Sequence, residues 1–177
     1  MYKTPENVPN HELADLGFKL QHSLENAMQH EFGWLLTGMK HRVTHHDPNI
    51  RMETQDRVDA AVQGILLVYL FAIFDEYTTD ELRSNWISQN DKHVLKAYRH
   101  LRNSIAHGHG GKRAPNCKSR DQFEQVMNSE RPFPNLVWDR TNDTIDFTKS
   151  QVAHDCHNHM CSITRKMIGH LVNDVRP

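Results

Sequence analysis

The sequence predicts a single, mostly helical domain, and three observations support that expectation. Apolar residues recur every three to four positions over long stretches of the 177-residue chain, which is the spacing of one face of a helix. Only one short region alternates apolar and polar residues as a strand does. A chain of this length can bury a core without metal or disulfide cross-links. We therefore expect an all-α helical bundle, one domain over residues 1–177, with a small β-hairpin before its C-terminal helix.

The first half of the chain is predicted to form two long helices. Asn10 is a suitable N-cap, and the apolar spacing after it predicts a first helix over residues 11–42. An Asp-Pro pair within residues 43–53 indicates a connection. A second helix is expected over residues 54–77. It is apolar on nearly every side from residue 64 to residue 74, which is typical of a helix buried all round.

Two more helices are expected in the middle of the chain. The first is short and covers residues 80–88. The second begins at Asn90 or Asp91, since both are suitable N-caps. It ends at Gly108, because glycine commonly follows the last turn of a helix.

The last third of the chain is predicted to contain a pair of strands and a final helix. Residues 121–128 are interpreted as a helical turn. Residues 135–147 alternate around a polar turn, which predicts a small β-hairpin. An isolated hairpin is marginally stable, so this one should pack against the helices. Thr148 and Gln151 have the spacing of a capping box, which predicts a last helix over residues 149–175.

The composition indicates a cytoplasmic protein that is not inserted in a membrane. The first residues lack the basic and apolar pattern of a secretory signal. The longest apolar run, residues 64–74, is too short to span a bilayer. Three cysteines are an odd number at unpatterned spacings, which favours free thiols in a reducing compartment.

The charge distribution is uneven although the net charge is only -1. The stretch from Lys92 to Arg120 has eight basic residues and no Asp or Glu. The positive field of such a stretch favours the binding of a polyanion. A solvated basic face with acidic partners elsewhere in the sequence is an equally weighted interpretation.

The helix before Gly108 is predicted to place a polar cluster opposite its core side. Its apolar stripe should face the core and consists of Val94, Tyr98, Leu101 and Ile105. The polar residues expected to project the other way are Lys96, Arg99, Asn103 and His107. Asn103 and His107 are neighbours one turn apart, and the long side chain of Arg102 reaches them from the flank.

An imidazole, an amide and a guanidinium together suit phosphodiester chemistry without a metal ion. Histidine titrates near neutral pH and can transfer protons, whereas a fixed arginine stabilises charge that develops on phosphate. The spacing Arg-x4-His alone is weak evidence, because a chain with 14 histidines is expected to contain it by chance. Arg165 and His170 have the same spacing, but no glycine stop follows them, and we interpret them as surface residues.

The copy at residues 102–108 carries further features. It reads RNSIAHG, with a polar residue after the arginine, a small residue before the histidine and a glycine after it. On the penultimate long helix, after an apolar helix, this segment resembles the signature of the HEPN superfamily of helical bundles. The resemblance covers residues 54–110 and is architectural elsewhere. The hairpin and last helix resemble a subfamily addition, such as that of plasmid-borne HEPN proteins.

The resemblance implies a homodimer in which the motif helices of two subunits form one composite cleft. Active members are metal-independent endoribonucleases that leave 2',3'-cyclic phosphate and 5'-hydroxyl ends, which here suggests a toxin or defence role. On this chain His107 would transfer the proton, Arg102 would stabilise the transition state, and Asn103 would orient histidine or phosphate. The residues expected to hold flanking RNA phosphates are Lys96, Arg99, Lys112 and Arg113.

The expected partners are RNA, a second copy of the chain and an antitoxin or inhibitor protein. In one toxin branch of the superfamily, a partner enzyme modifies a tyrosine two places after the histidine. His109 occupies that place here, so we do not expect that mode of neutralisation.

A non-catalytic HEPN module is the alternative function, because members that only bind or scaffold also exist. Such a module would bind nucleic acid or a protein partner through the same basic face. In this interpretation Arg102 forms a salt bridge, Asn103 and His107 satisfy backbone groups at the helix end, and Gly108 is a C-cap.

A cluster on the last helix has the spacing of metal ligands. His154, His157 and Cys161 lie three and four residues apart and could bind a transition metal from one face. A closed zinc site needs four ligands, and one helix supplies about three. Chance clustering in a histidine-rich chain is therefore the favoured interpretation, and we expect neither a metal nor a cofactor. A glycine-rich phosphate loop that precedes a helix is also lacking.

Overall fold

The computed structural model describes residues 9–42, 46–79, 82–83, 86–107, 137–139, 144–146 and 151–174. Nearly all of these residues are helical, which confirms the all-α class. The helices are α1 (Asn10–Asn26), α2 (Gly33–His41), α3 (Pro48–Tyr77), α4 (Gln89–His107) and α5 (Val152–Asp174). A π-helical segment, Ala27–Phe32, joins α1 to α2, so the predicted first helix is one continuous run with a widened turn.

Two helices begin at other residues than the sequence predicts. α1 has Pro9 in its N-cap position without a side-chain cap, so the prediction of Asn10 as the cap is wrong. α3 begins at Pro48 rather than at residue 54, because the Asp47 carboxylate accepts a hydrogen bond from the Asn49 amide at 2.8 Å. Proline at the first helical position has no amide hydrogen to leave unsatisfied. The Asp-Pro pair therefore starts a helix instead of lying in a connection.

The start of α4 is also set by a residue that the sequence did not single out. The Ser88 hydroxyl accepts a hydrogen bond from the Asp91 amide at 3.1 Å and donates one to the Asp91 carboxylate at 2.6 Å. Ser88 is thus the N-cap, and Asp91 is the acidic residue three positions later. The prediction of Asn90 or Asp91 as the cap is wrong by two or three positions.

α3 lies at the centre of the bundle and contacts α1, α2, α4 and α5. Its fully buried side chains include Leu67, Leu70, Phe71 and Phe74. It is not buried all round, however, because Ile65 is 53% exposed and Tyr69 is 37% exposed. By length and composition α3 would also suffice to cross a membrane, a property that core helices of soluble proteins share.

Two three-residue strands pair antiparallel, with Trp138 opposite Ile145. The strands are β1 (Val137–Asp139) and β2 (Thr144–Asp146). The short helix predicted over residues 80–88 is only partly confirmed: Leu82 and Arg83 are helical, whereas residues 86–88 are not. Residues 80, 81, 84 and 85 lie outside the described residues. The predicted turn at residues 121–128 and the Thr148 cap also lie outside them, and α5 begins at Val152.

α1 and α5 make the most extensive contact in the bundle, and Gly17 of α1 lies directly against α5. A Cβ atom on Gly17 would lie 2.9 Å from the Met167 Cβ and 3.2 Å from the Thr164 carbonyl oxygen. We expect Gly17→Ala to lower the free energy of unfolding by about 1 kcal/mol or more, because the strain of overpacking exceeds alanine's helix propensity. Urea denaturation measures this change.

Gly38 provides the matched control for this prediction. It lies within α2, and an added Cβ would meet nothing within 4 Å. Gly38→Ala should therefore raise the free energy of unfolding by about 0.5–1 kcal/mol. Equal stabilisation by the two substitutions would contradict the close packing of α1 on α5.

Candidate functional site

α4 presents the motif as the sequence predicts, with its apolar stripe towards the core. Tyr98 and Leu101 are fully buried, while Val94 and Ile105 are partly buried and pack against the core cluster. This burial confirms the predicted core side of the helix.

The polar residues of the motif helix differ in how far they reach solvent. Lys96 is exposed, and Arg99 and Asn103 are half-buried. His107 is the last residue of α4, one helical turn after Asn103, and its side chain lies outside the described part of the chain. Lys112 and Arg113 also lie outside it, so their predicted contacts with phosphate stay predictions.

Three arginines converge on one carboxylate, that of Asp75 near the C-terminal end of α3. The Arg83 guanidinium lies 2.8 Å from Asp75 Oδ1, and the Arg99 guanidinium lies 3.2 Å from the same oxygen. The Arg102 guanidinium lies 3.5 Å from Asp75 Oδ2. We call these four residues the arginine cluster. Counted over the described residues, three guanidinium groups face one carboxylate, so these four side chains carry a net positive charge.

Two of these arginines also lie over aromatic rings of α3. The Arg102 guanidinium is 5.5 Å from the Phe71 ring centroid, and that of Arg83 is 5.7 Å from the Phe74 centroid. Cations within about 6 Å of a ring face are attracted by its quadrupole. Arg83 further donates hydrogen bonds to the hydroxyl and the carbonyl oxygen of Thr78. The packed rings thus hold the guanidinium groups in place.

Arg102 is oriented but incompletely hydrogen-bonded. Its side chain is 24% exposed. Its Nε is buried and has no hydrogen-bond partner among the described residues. An unpaired buried donor costs about 1–3 kcal/mol.

The arrangement can bind an oxyanion beside the C-terminal half of α4. A guanidinium presents donors in a planar fork that matches phosphate or carboxylate geometry. In the described structure Asp75 supplies such a carboxylate, and it is half-exposed at 36%. The cluster is therefore accessible to a second, competing anion.

Asp75 and Arg83 belong to the site although no motif in the sequence marks them. A basic run without acids implied acidic partners elsewhere in the chain. Asp75, which follows the long apolar run of α3, is one of these partners. Sequence alone did not distinguish it from neighbouring acids such as Glu76. The structure brings Arg99 and Arg102 together at this carboxylate, and Lys96 does not contact it within ion-pair distance.

The histidine and cysteine cluster on α5 contains one close pair. The Cys161 sulfur lies 3.4 Å from Nε2 of His157. Burial raises the pKa of the Cys161 thiol and lowers the pKa of His157, so both groups are neutral at neutral pH. His154 is exposed, with its ring centroid 6.4 Å from that of His157. No group of three potential metal ligands occurs among the described residues.

The second Arg-x4-His copy differs from the motif in its surroundings. Arg165 is exposed on α5, which agrees with its interpretation as a surface residue.

Comparison of the chain with protein-family models, with curated proteins and with solved structures found no match. The fold and the site together define a helical bundle with an arginine cluster beside an Arg-Asn-x3-His segment.

Proposed function

We propose that this protein is a metal-independent endoribonuclease of the HEPN type, with a composite active site at a homodimer interface. His107 transfers the proton, Arg102 stabilises the negative charge of the transition state, and Asn103 orients the histidine or the phosphate. Arg99, Lys96 and the Lys112–Arg113 pair bind flanking phosphates. The proposed role is that of a toxin or a defence nuclease, restrained by an inhibitor protein.

The observation that carries the proposal is the fixed guanidinium of Arg102. It lies over Phe71, and in the chain Arg102 directly precedes Asn103 and lies five residues before His107, the last residue of α4. Preorganised donors stabilise developing charge without reorganisation during the reaction, which gives them a large share of catalysis. The excess positive charge of the arginine cluster supports the binding of an RNA phosphate at the same place.

The proposed dimer is supported by exposed apolar side chains on the surface of α3. Ile65 and Tyr69 are solvent-accessible, and Tyr69 lies against Phe32 of the π-helical segment. Covering these side chains with a second copy would remove apolar area from water. In the proposed dimer the motif helices of the two copies face each other.

The test compares the wild type with His107→Ala on end-labelled RNA in the presence of EDTA. We expect cleavage that leaves 2',3'-cyclic phosphate ends in the wild type only, because the variant has no group to move the proton. A mutant that retained the same activity and end chemistry would identify a contaminating nuclease. Cleavage by neither protein would reject the enzymatic proposal.

A second candidate function is a non-catalytic module that binds nucleic acid or protein through the same face. The ion pair of Arg102 with Asp75 favours it, because a structural salt bridge alone would account for that arginine. This function predicts salt-sensitive binding of RNA without cleavage by the purified protein.

A further inference from the structure

A pocket of about 390 Å³ lies between α3, the N-terminal half of α4 and the residues that connect them. Its apolar surface comes from four largely buried side chains: Phe71, Phe74, Ile87 and Leu95. Its volume falls within the usual range of ligand pockets. One or two large side chains of a partner would fill it.

Basic side chains surround this apolar floor. They are Arg83, Lys92, Lys96, Arg99 and His100, and no carboxylate lines the pocket among the described residues. Arg83 and Arg99 form ion pairs with Asp75, which holds their guanidinium groups in position before any ligand binds. A pocket of this kind is complementary to a ligand with an apolar centre and several negative charges around it.

The floor discriminates between two ligands of that description. A buried nucleobase has polar edges that need hydrogen-bond partners. Without them, the cost of removing these edges from water weakens binding. The four apolar side chains offer no such partners, and among the described lining side chains only His100 could accept a hydrogen bond from an N–H group of a base. A leucine or phenylalanine side chain has no polar atoms and can pack against the same apolar side chains without needing a hydrogen-bond partner.

We propose that the pocket binds an acidic peptide segment of a partner protein, with one large apolar side chain as its anchor. The anchor fills the space between Phe71, Phe74 and Leu95, and flanking carboxylates pair with the surrounding cations. An apolar anchor desolvated in a central pocket typically carries most of the affinity of an interface. Arginine and lysine at the rim add specificity for acidic neighbours.

The position of this peptide site gives it a regulatory consequence. Arg99 and Lys96 line the pocket, and the proposed ribonuclease uses both to hold flanking phosphates. A bound acidic peptide would occupy these cations and compete with RNA. That consequence rests on the proposed function, whereas binding of the peptide does not.

The experiment pans a phage-displayed heptapeptide library on the full-length His107→Ala variant and then measures synthetic peptides by fluorescence anisotropy. We expect selected sequences with a leucine, phenylalanine or tryptophan flanked by aspartate or glutamate. Leu95→Phe puts a larger side chain into the pocket, and Lys96→Glu reverses one of the charges around it. Each should weaken peptide binding about tenfold or more. The matched control is Lys19→Glu, an exposed lysine of α1, which should leave binding unchanged.

A peptide with its anchor changed to alanine tests the floor without altering the protein, so the result does not depend on how Leu95→Phe folds. Equal affinity of that peptide would overturn the proposal, as would a selected consensus without acidic residues. A single-stranded oligonucleotide that lost affinity through Leu95→Phe as strongly as the peptide would identify a nucleobase pocket instead. Peptide binding is read without RNA, so failure of the ribonuclease proposal gives a separate result.

Discussion

Replacing Arg102 by alanine is expected to reduce the rate of RNA cleavage by about 10²- to 10³-fold, the usual loss when one preorganised charge-stabilising donor is removed. The guanidinium is held by Phe71 and Asp75 before substrate arrives, so its loss leaves the developing phosphate charge without a fixed cation. Single-turnover cleavage of labelled RNA measures the chemical step directly.

Two further variants separate catalysis from structure in this prediction. Arg102→Lys keeps the charge but loses the planar fork, so it should retain stability while cleavage stays low. Arg57→Ala removes an exposed arginine of α3 that pairs with Glu53 within its own helix, and it should cleave as the wild type does. Cleavage at the wild-type rate by Arg102→Ala would refute the role proposed for this residue.

Replacing Asp91 by asparagine is expected to lower the free energy of unfolding by about 1.5–3 kcal/mol, the contribution of hydrogen bonds to a buried charge. The Asp91 carboxylate is almost fully buried, and it accepts hydrogen bonds from Lys166 of α5 and Ser88, both at 2.6 Å. It therefore joins the start of α4 to α5. Urea denaturation at neutral pH measures the loss.

The stability difference between wild type and Asp91→Asn should depend on pH in a defined direction. Burial by itself raises the pKa of Asp91, but the hydrogen bonds from Lys166 and Ser88 outweigh it and lower the pKa below its ordinary value of 3.8. A lowered pKa in the folded state stabilises the protein above the unfolded value, and this stability is lost as the pH falls through the folded pKa. The difference should therefore be full near neutral pH and shrink below about pH 4.

Asp15 provides the control for the Asp91 prediction. It pairs with Lys19 at 2.6 Å on the exposed side of α1, with both side chains about 60% exposed. Exposed ion pairs contribute little because solvent screens them, so Asp15→Asn should leave urea denaturation unchanged at each pH. A pH-independent difference for Asp91→Asn would contradict the charged hydrogen bonds as the source of its effect.

The sequence predicted the long helices and the core side of α4, because both depend on local periodicity, but it overestimated the burial of α3. The buried stripe of Tyr98 and Leu101 follows directly from the 3.6-residue repeat. Helix starts were less predictable: Asn10 was chosen as a cap and is not one, whereas Ser88 caps α4. Many polar residues have suitable side chains, and the packing of the connection before each helix decides which of them reaches a free amide.

The sequence alone determined the chemical inventory of this protein: an RNSIAHG segment on an amphipathic helix, a basic run without acids, and the apolar helix before it. Only the tertiary structure decided that Asp75 and Arg83 complete the arginine cluster and that cations surround an apolar pocket over Phe71 and Phe74. Periodicity within one helix fixes which residues share its face. The packing of the whole core decides which face of one helix lies against another helix. This packing places Asp75 of α3 beside Arg99 and Arg102, which lie 24 and 27 residues later in the chain.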